Sequence, residues 1–452
     1  MSPTVTMHEL RIGMFVHLDL GWMSHPFPLS SFRIASEDQI ATIRTLGLTK
    51  VRWAPEKSDA FDAADAERWV GGAGGPDGQA AQAAGAPEPA PAGTAAQTLE
   101  ETQEQLLAKT QAQSRRDELA GQRAAAQLAE KQYGEAGRAW RTASDMVASK
   151  PEQARRDTEA LTQALLDKMM GDGEMCVRLL TSQAGDRSTA HALNVAVISL
   201  LMGRTFGMSA DEMLDLGVGA LMHDVGKLDI ADRLRHPDEQ FSAAELNAYR
   251  EHVALGVSHG RRMGMAPGAL LVVAQHHENA DGSGFPMKLG SERMTMAARI
   301  VSIVNRYDKL CNPPVLARAL TPHESLSMLF SQSRNKYDTT VLNAFIRMMG
   351  VYPAGSVVQL TDDRHAMVVG VNSSRPLKPR VLVHDPLVPR EEALVVNLDL
   401  LPDLGIRRSL QPARLPAAAL EYLAPRPRVS YFFEQLQSVE PRAAELALAC
   451  NG

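Results

Sequence analysis

Residues 221–227 read Leu221-Met222-His223-Asp224-Val225-Gly226-Lys227, and the fold follows from how this stretch is understood. The apolar run 216–222 and Val225 flank an adjacent imidazole and carboxylate, which predicts a buried helix position for both polar side chains. Burying a carboxylate beside an imidazole is costly unless something compensates it. A divalent metal does so directly, and a His–Asp pair suits Zn, Mn or Fe. Lys227 follows Asp224 by three positions and His223 by four, so a continuing helix places it on the same face. There it neutralises an incoming phosphate or, in the plainer alternative, pairs with Asp224.

Outward from this stretch, histidines cluster. Seven of the 13 fall between 191 and 277: His191, His223, His236, His252, His259, His276 and His277. The pair His276-His277, with Glu278, follows the apolar run 270–274 and precedes the turn-rich loop Asp281-Gly282-Ser283-Gly284-Phe285-Pro286. Adjacent histidines project about 100° apart on a helix. They therefore reach two metals, or one metal and the shell beside it.

From about 160 to 350 the pattern predicts helix after helix, with Leu161, Leu165 and Met169 recurring on one face after Pro151. Before it, 98–159 reads as a helical connector, rich in Ala, Gln and charge, with Thr98 and Glu101 as a capping box. The segment 71–97 holds 7 Gly, 10 Ala and 4 Pro among its 27 residues and predicts a flexible linker. Residues 1–70 read as a small α+β module, with Ser36 and Gln39 capping a helix and 50–53 alternating like a strand. Beyond Gly350 the runs 356–360, 366–369, 381–383 and 394–396 predict a small β module, followed by a helical tail within 351–452.

Composition bounds the function. At 452 residues, 44% apolar, the chain is long enough for two to four domains. A net charge of −6 argues against a nucleic-acid polymer as partner. The three cysteines, Cys176, Cys311 and Cys450, lie far apart and suit reduced thiols. The best apolar run, 193–202, contains Asn194 and Ser199 and is half the roughly 20 residues a membrane span needs. The opening MSPTVTMHEL lacks the regions of a signal peptide, so a cytoplasmic location is expected.

The order and spacing of His191, His223-Asp224 with Gly226-Lys227, His252, His276-His277, the 281–286 loop and Tyr307-Asp308 resemble the HD-GYP family. That family belongs to the HD phosphohydrolases, whose helical domains hydrolyse cyclic di-GMP in bacterial signalling. The match covers about 160–350, and 1–70 is similar to a small domain of unknown function often found before it. The resemblance implies a mainly α fold: an all-helical HD-type domain flanked by a small N-terminal α+β module and a small C-terminal β module. It implies two divalent ions, Fe or Mn, held by His191, His223, Asp224, His252, His276 and His277, with Asp224 shared between them. Two ions ~3.5–4 Å apart clamp the attacking and leaving oxygens of a phosphodiester. Lys227 and Asp224 become the catalytic pair. A cyclic dinucleotide becomes the partner, with Gly284, Phe285 and Arg318 nearest to it; a homodimer or other signalling proteins stay open as further partners.

The chain also departs from the pattern. Asn305 stands where the family's last metal ligand is Asp, and offers only a carbonyl oxygen. Arg187 stands where members with three metals carry an acidic ligand. Pro314 and Ala317 stand at usually basic positions, with Arg318 displaced, and Phe285 keeps the ring of the usual Tyr without its hydroxyl. Two further readings follow: an impaired domain serving as nucleotide sensor or interaction module, and a hydrolase for another phosphoester.

Overall fold

The computed structural model describes residues 3–20, 27, 31–59, 92–169, 174–180, 186–237, 240–372 and 375–435. The chain divides into two units, 1–113 and 114–452.

In the first unit, Ser36 Oγ accepts from the Gln39 amide, and the Gln39 side chain accepts in turn from the Ala35 N–H. These bonds start α1 (Glu37–Thr45), and Gly47, at φ +70°, follows its end. An antiparallel sheet runs β1 (Thr4–Thr6), β4 (Lys50–Trp53), β2 (Phe15–His17), β3 (Ser31–Arg33). Val5, Val16 and Val51 from the sheet pack against Ile40 and Ile43 of α1. The alternation read at 50–53 is thus a strand with one buried face.

The backbone is helical from Ala92 as α2 (Ala92–Met146), so the helix begins six residues before the Thr98 capping box and takes in the end of the expected linker. The Ala-rich 92–97 sequence costs little to extend as helix. The rest of the expected linker, 71–91, lies outside the described residues, as do 60–70 of the module before it. From 114 onward α2 belongs to the second unit, where Tyr133, Ala136 and Ala143 are buried. Trp140 Nε1 donates to the Leu221 carbonyl at 3.0 Å, bracing the end of the helix that carries His223.

The second unit's helices are α3 (Pro151–Met169), α4 (Arg187–Thr205), α5 (Ala210–Met222), α6 (Ala243–Arg250), α7 (His252–Met263), α8 (Pro267–Gln275), α9 (Met296–Cys311), α10 (Pro322–Gln332), α11 (Thr339–Met349) and α12 (Ala417–Leu423). Leu161, Leu165 and Met169 form the buried face of α3. Helix α4 is buried on nearly every side from Ala192 to Gly203, as a central helix must be.

The expectation of an all-helical 160–350 is corrected by β5 (Met175–Leu179). It pairs with β7 (His365–Asn372) on one side and β11 (Tyr431–Gln435) on the other. The full order is β10 (Ile406–Leu410), β6 (Val357–Leu360), β7, β5, β11, with β8 (Arg380–Val383) and β9 (Val395–Asn397) extending from β7. All neighbours are antiparallel. Instead of a simple helical tail, the C-terminal stretch holds short α12 and then β11; residues 436–452, with Cys450, lie outside the described residues. Short strands whose partners lie 200 residues away carry too weak a local pattern to be read.

Candidate metal centre

Helix α5 stops at Met222, and the chain turns into a 3-10 segment, Val225–Asp229. The helix expected to continue through Lys227 therefore does not, yet Lys227 Nζ still reaches Asp224 Oδ2 at 2.6 Å. Gly226 lets this turn press on α7: a Cβ there would lie 1.9 Å from the His252 carbonyl oxygen.

Four helices deliver imidazoles to Asp224. His191 comes from α4, His223 caps α5, His252 opens α7 and His276 caps α8. The Nδ1 atoms of His223, His252 and His276 face the carbonyls of Ala220, Tyr249 and Val273 at 2.7, 2.6 and 2.8 Å. A carbonyl only accepts, so each Nδ1 carries the proton and each Nε2 keeps its lone pair. His191 Nδ1 donates to Asp308 Oδ2 at 2.6 Å, with the same consequence. The freed lone pairs then face one another: His191 and His223 Nε2 are 3.2 Å apart, and His252 and His276 Nε2 are 3.3 Å apart.

Asp224 sits between the two pairs. Its Oδ2 is 3.5 Å from both His191 and His223, and its Oδ1 is 3.6 and 3.7 Å from His252 and His276. Oδ1 is buried and has no hydrogen-bond partner among the described residues. His277 joins the His252–His276–Asp224 group, with its Nε2 3.2 Å from the Tyr249 hydroxyl.

The electrostatics agree. Burial lowers His276 to a pKa of about 3 and His252 to about 4, and holds His223 and His277 low as well. Burial works to raise Asp224, but Lys227, His223 and Lys309 outweigh it and hold the carboxyl well below its ordinary value. Burial disfavours a charged His191 too, yet its bonds to Asp224 and Asp308 win and raise it. Neutral imidazoles at His223, His252, His276 and His277 around an ionised carboxylate are a donor set for a first-row divalent metal, and at His191 a bound cation would take the place of the proton its carboxylate partners favour. Opposed lone pairs about 3.2 Å apart repel unless a cation lies between them, and ligand distances of ~2.0–2.2 Å allow one ion to serve both. The residues present therefore fit the metal that the chemistry implies.

Other expected residues fall differently. Asn305 lies on α9, buried, one turn before Asp308, and its Oδ1 has no hydrogen-bond partner among the described residues. Phe285 stacks on His277 with centroids 4.5 Å apart. Gly284 makes a close backbone approach: a Cβ would lie 2.4–2.6 Å from 277–279 backbone atoms. Arg318 is exposed on the short turn Leu316–Arg318 and does not line the cavity at the cluster. That cavity, about 620 Å³, is bounded by His191, His223, Asp224 and Lys227, and elsewhere by Arg187, Lys309 and Arg428.

Some functional positions escaped the sequence reading. Asp308, which the sequence offers only as part of the Tyr307-Asp308 motif, is the hydrogen-bond acceptor that orients His191. Glu278 accepts from the Met287 and Leu289 amides at 2.6 and 2.9 Å and so holds the 281–286 loop against the cluster. A fully buried Glu beside two histidines was the available signal.

Residues 141–341 match the family described as HD domain. The chain carries an HD domain over those residues. Residues 3–158, overlapping the start of that match, match a domain of unknown function, DUF3391, which thus extends well beyond the expected 1–70. Over 212 residues the chain is 26% identical to cyclic di-GMP phosphodiesterase PA4108 of Pseudomonas aeruginosa, covering 46% of this chain and 50% of that protein. Over 191 residues it is 23% identical to cyclic di-GMP phosphodiesterase PdeB of Borreliella burgdorferi, covering 42% and 50%. The chain thus spans about half the length of these curated relatives. A solved HDG"Y"P protein, Bd1817 of Bdellovibrio bacteriovorus, aligns with 13% identity and a TM-score of 0.39, over 76% of this chain and 98% of that one. No helix among the described residues is long and apolar enough to cross a membrane.

Proposed function

We propose that the HD domain is a metal-dependent phosphodiesterase that hydrolyses cyclic di-GMP to pGpG and GMP. The observation that carries this is the set of opposed Nε2 atoms flanking Asp224, of which the His191–His223 pair lines a cavity of about 620 Å³. That volume lies within the ~300–1,000 Å³ of ordinary ligand pockets. Kinship with curated cyclic di-GMP phosphodiesterases supports the same substrate.

His191, His223 and Asp224 would hold one ion, and Asp224, His252, His276 and His277 a second, Fe or Mn, with the Asn305 carbonyl oxygen as a neutral further donor. Bound metal supplies Lewis-acid activation of water and of the scissile phosphate. The chain's own residues do the rest. Asp308 holds the His191 proton on Nδ1, so that Nε2 stays available. Lys227 keeps Asp224 ionised and presents an ammonium to the phosphate as negative charge builds on it. Phe285, held over His277, offers a face to a purine base. Buried, unpaired Cys176 and Cys311 suit a cytoplasmic setting.

The test is direct. Full-length protein loaded with Mn or Fe is expected to convert cyclic di-GMP to linear product, and His223→Ala to abolish conversion. Absence of turnover at full metal content would overturn the reading. Tight nucleotide binding without turnover would identify a sensor instead.

A further inference from the structure

We propose that Arg187, Lys309 and Arg428 form a separate anion subsite that grips the substrate phosphate not being cleaved. The inference rests on the phosphodiesterase reading and adds residues that no motif of the domain points to. All three residues line the cavity that is also lined by Asp224, His191 and His223. They come from distant parts of the chain: the start of α4, the last turn of α9 and the segment before β11.

The cavity's carboxylates are already engaged. Asp186 accepts from the Thr189 amide and hydroxyl at 3.0 and 2.8 Å and faces Arg141 at 3.8 Å. Asp224 is paired with Lys227 at 2.6 Å. Asp308 accepts from His191, Asn194 and Asn312 at 2.6–2.8 Å. Among the described residues, then, none of the three cations has an ion-pair partner. Arg187 contacts the His236 imidazole, a neutral group that leaves its charge unanswered. Lys309 Nζ is buried with no hydrogen-bond partner among the described residues. A buried amino group without a partner is expensive, and an anion that enters the cavity relieves that cost.

Arg428 is held in register with the cluster. The neighbouring Val429 carbonyl accepts from Asn194 and Asn312 at 3.1 and 2.9 Å, and its amide donates to Asn312 Oδ1 at 2.9 Å. The same two asparagines bind Asp308, the residue that orients His191. One hydrogen-bonded web therefore ties Arg428 to the metal ligands. Pro314, where a basic residue is usual, also lines the cavity. The positive charge missing there is supplied from α4, α9 and the C-terminal segment. A ligand with two phosphates set apart, one at Asp224 and one at the three cations, matches this arrangement.

The test uses full-length protein with Arg428→Met, Arg428→Lys and Lys309→Met. Losing one charge-assisted contact to phosphate is expected to raise KM for cyclic di-GMP about tenfold or more. For the Arg428 variants a kcat change below about threefold is expected alongside it, since the contact is equally present before and during reaction, whereas Lys309→Met, which also removes a charge that keeps Asp224 ionised, is read by KM alone. Arg428→Lys should recover part of the loss. An unmoved KM in both Met variants, or a fall in kcat alone, would overturn the subsite while leaving the phosphodiesterase reading intact. If the loaded protein cleaves nothing, pyrophosphate binding to the chelator-treated chain takes over as readout. Binding weakened in both Met variants sustains the subsite; no binding, or equal binding, removes it.

Discussion

Replacing Asp308 by Asn changes one atom of the site's outer wall, and the structure sets what it should cost. Asp308 is 1% exposed, and its Oδ2 accepts the His191 Nδ1 proton at 2.6 Å. Its Oδ1 accepts from Asn194 and Asn312 at 2.7 and 2.8 Å. An amide has one acceptor where the carboxylate has two. If its NH2 replaces Oδ2, two donors meet at His191, whose proton then moves to Nε2 and blocks the lone pair aimed at the cluster. If it replaces Oδ1, one N–H of each asparagine loses its acceptor, leaving only the bonds to the Val429 carbonyl. Each buried donor left unpaired costs ~1–3 kcal/mol. Second-sphere changes of this kind typically reduce metal affinity ~10–100-fold, equivalent to about 1.4–2.8 kcal/mol. The loss should fall on the His191–His223 side and spare the His252–His276 side. Calorimetric titration of the chelator-treated chain with Mn should therefore show one weakened phase and one unchanged phase in Asp308→Asn. A lower melting temperature with two wild-type binding phases would refute the reasoning, because Asp308 would then be a packing residue alone.

Two further variants examine the same centre. Gly226→Ala places a Cβ 1.9 Å from the His252 carbonyl oxygen and 2.4 Å from the Gly256 nitrogen, both backbone atoms. Thermal unfolding should show a loss of ~3 kcal/mol or more, with metal content falling too; wild-type stability would mean the turn does not press on α7. Asn305→Asp adds a carboxylate at a buried oxygen that has no partner among the described residues, one turn from Asp308. Metal retained after dialysis should rise, with affinity up roughly tenfold for the added anionic donor; unchanged metal together with a lower melting temperature would show that position 305 faces protein instead.

Legibility followed the range of the interactions involved. Where neighbours in sequence are neighbours in space, the residues could be read directly. The Ser36–Gln39 cap and the 50–53 strand emerged as expected, and so did the buried stripe of α3 and the hairpin of β6 and β7. The identity of the clustered imidazoles was legible because buried His–Asp pairs in apolar surroundings need a compensating charge. Strand β5 was not legible, because five residues hold no decisive period and its partners lie at 370–372 and 431–435. The start of α2 was missed because Ala, Gly and Thr at 92–94 are as common in linkers as in helix ends. Lys227 kept its partner for a different reason than expected, through a 3-10 turn in place of a helix face.

Which residue types could bind metal and phosphate was written into the chain, since donor chemistry belongs to the side chain wherever it ends up. Which nitrogen of each histidine faces inward was settled by backbone carbonyls at the ends of helices and by Asp308, 117 residues from His191. The same holds for Lys309 and Arg428: lysine and arginine are ordinary surface residues until folding places them in one cavity and commits the nearby carboxylates elsewhere. Such long-range closure depends on the packing of whole helices and on strands paired across hundreds of residues, and no local pattern encodes it.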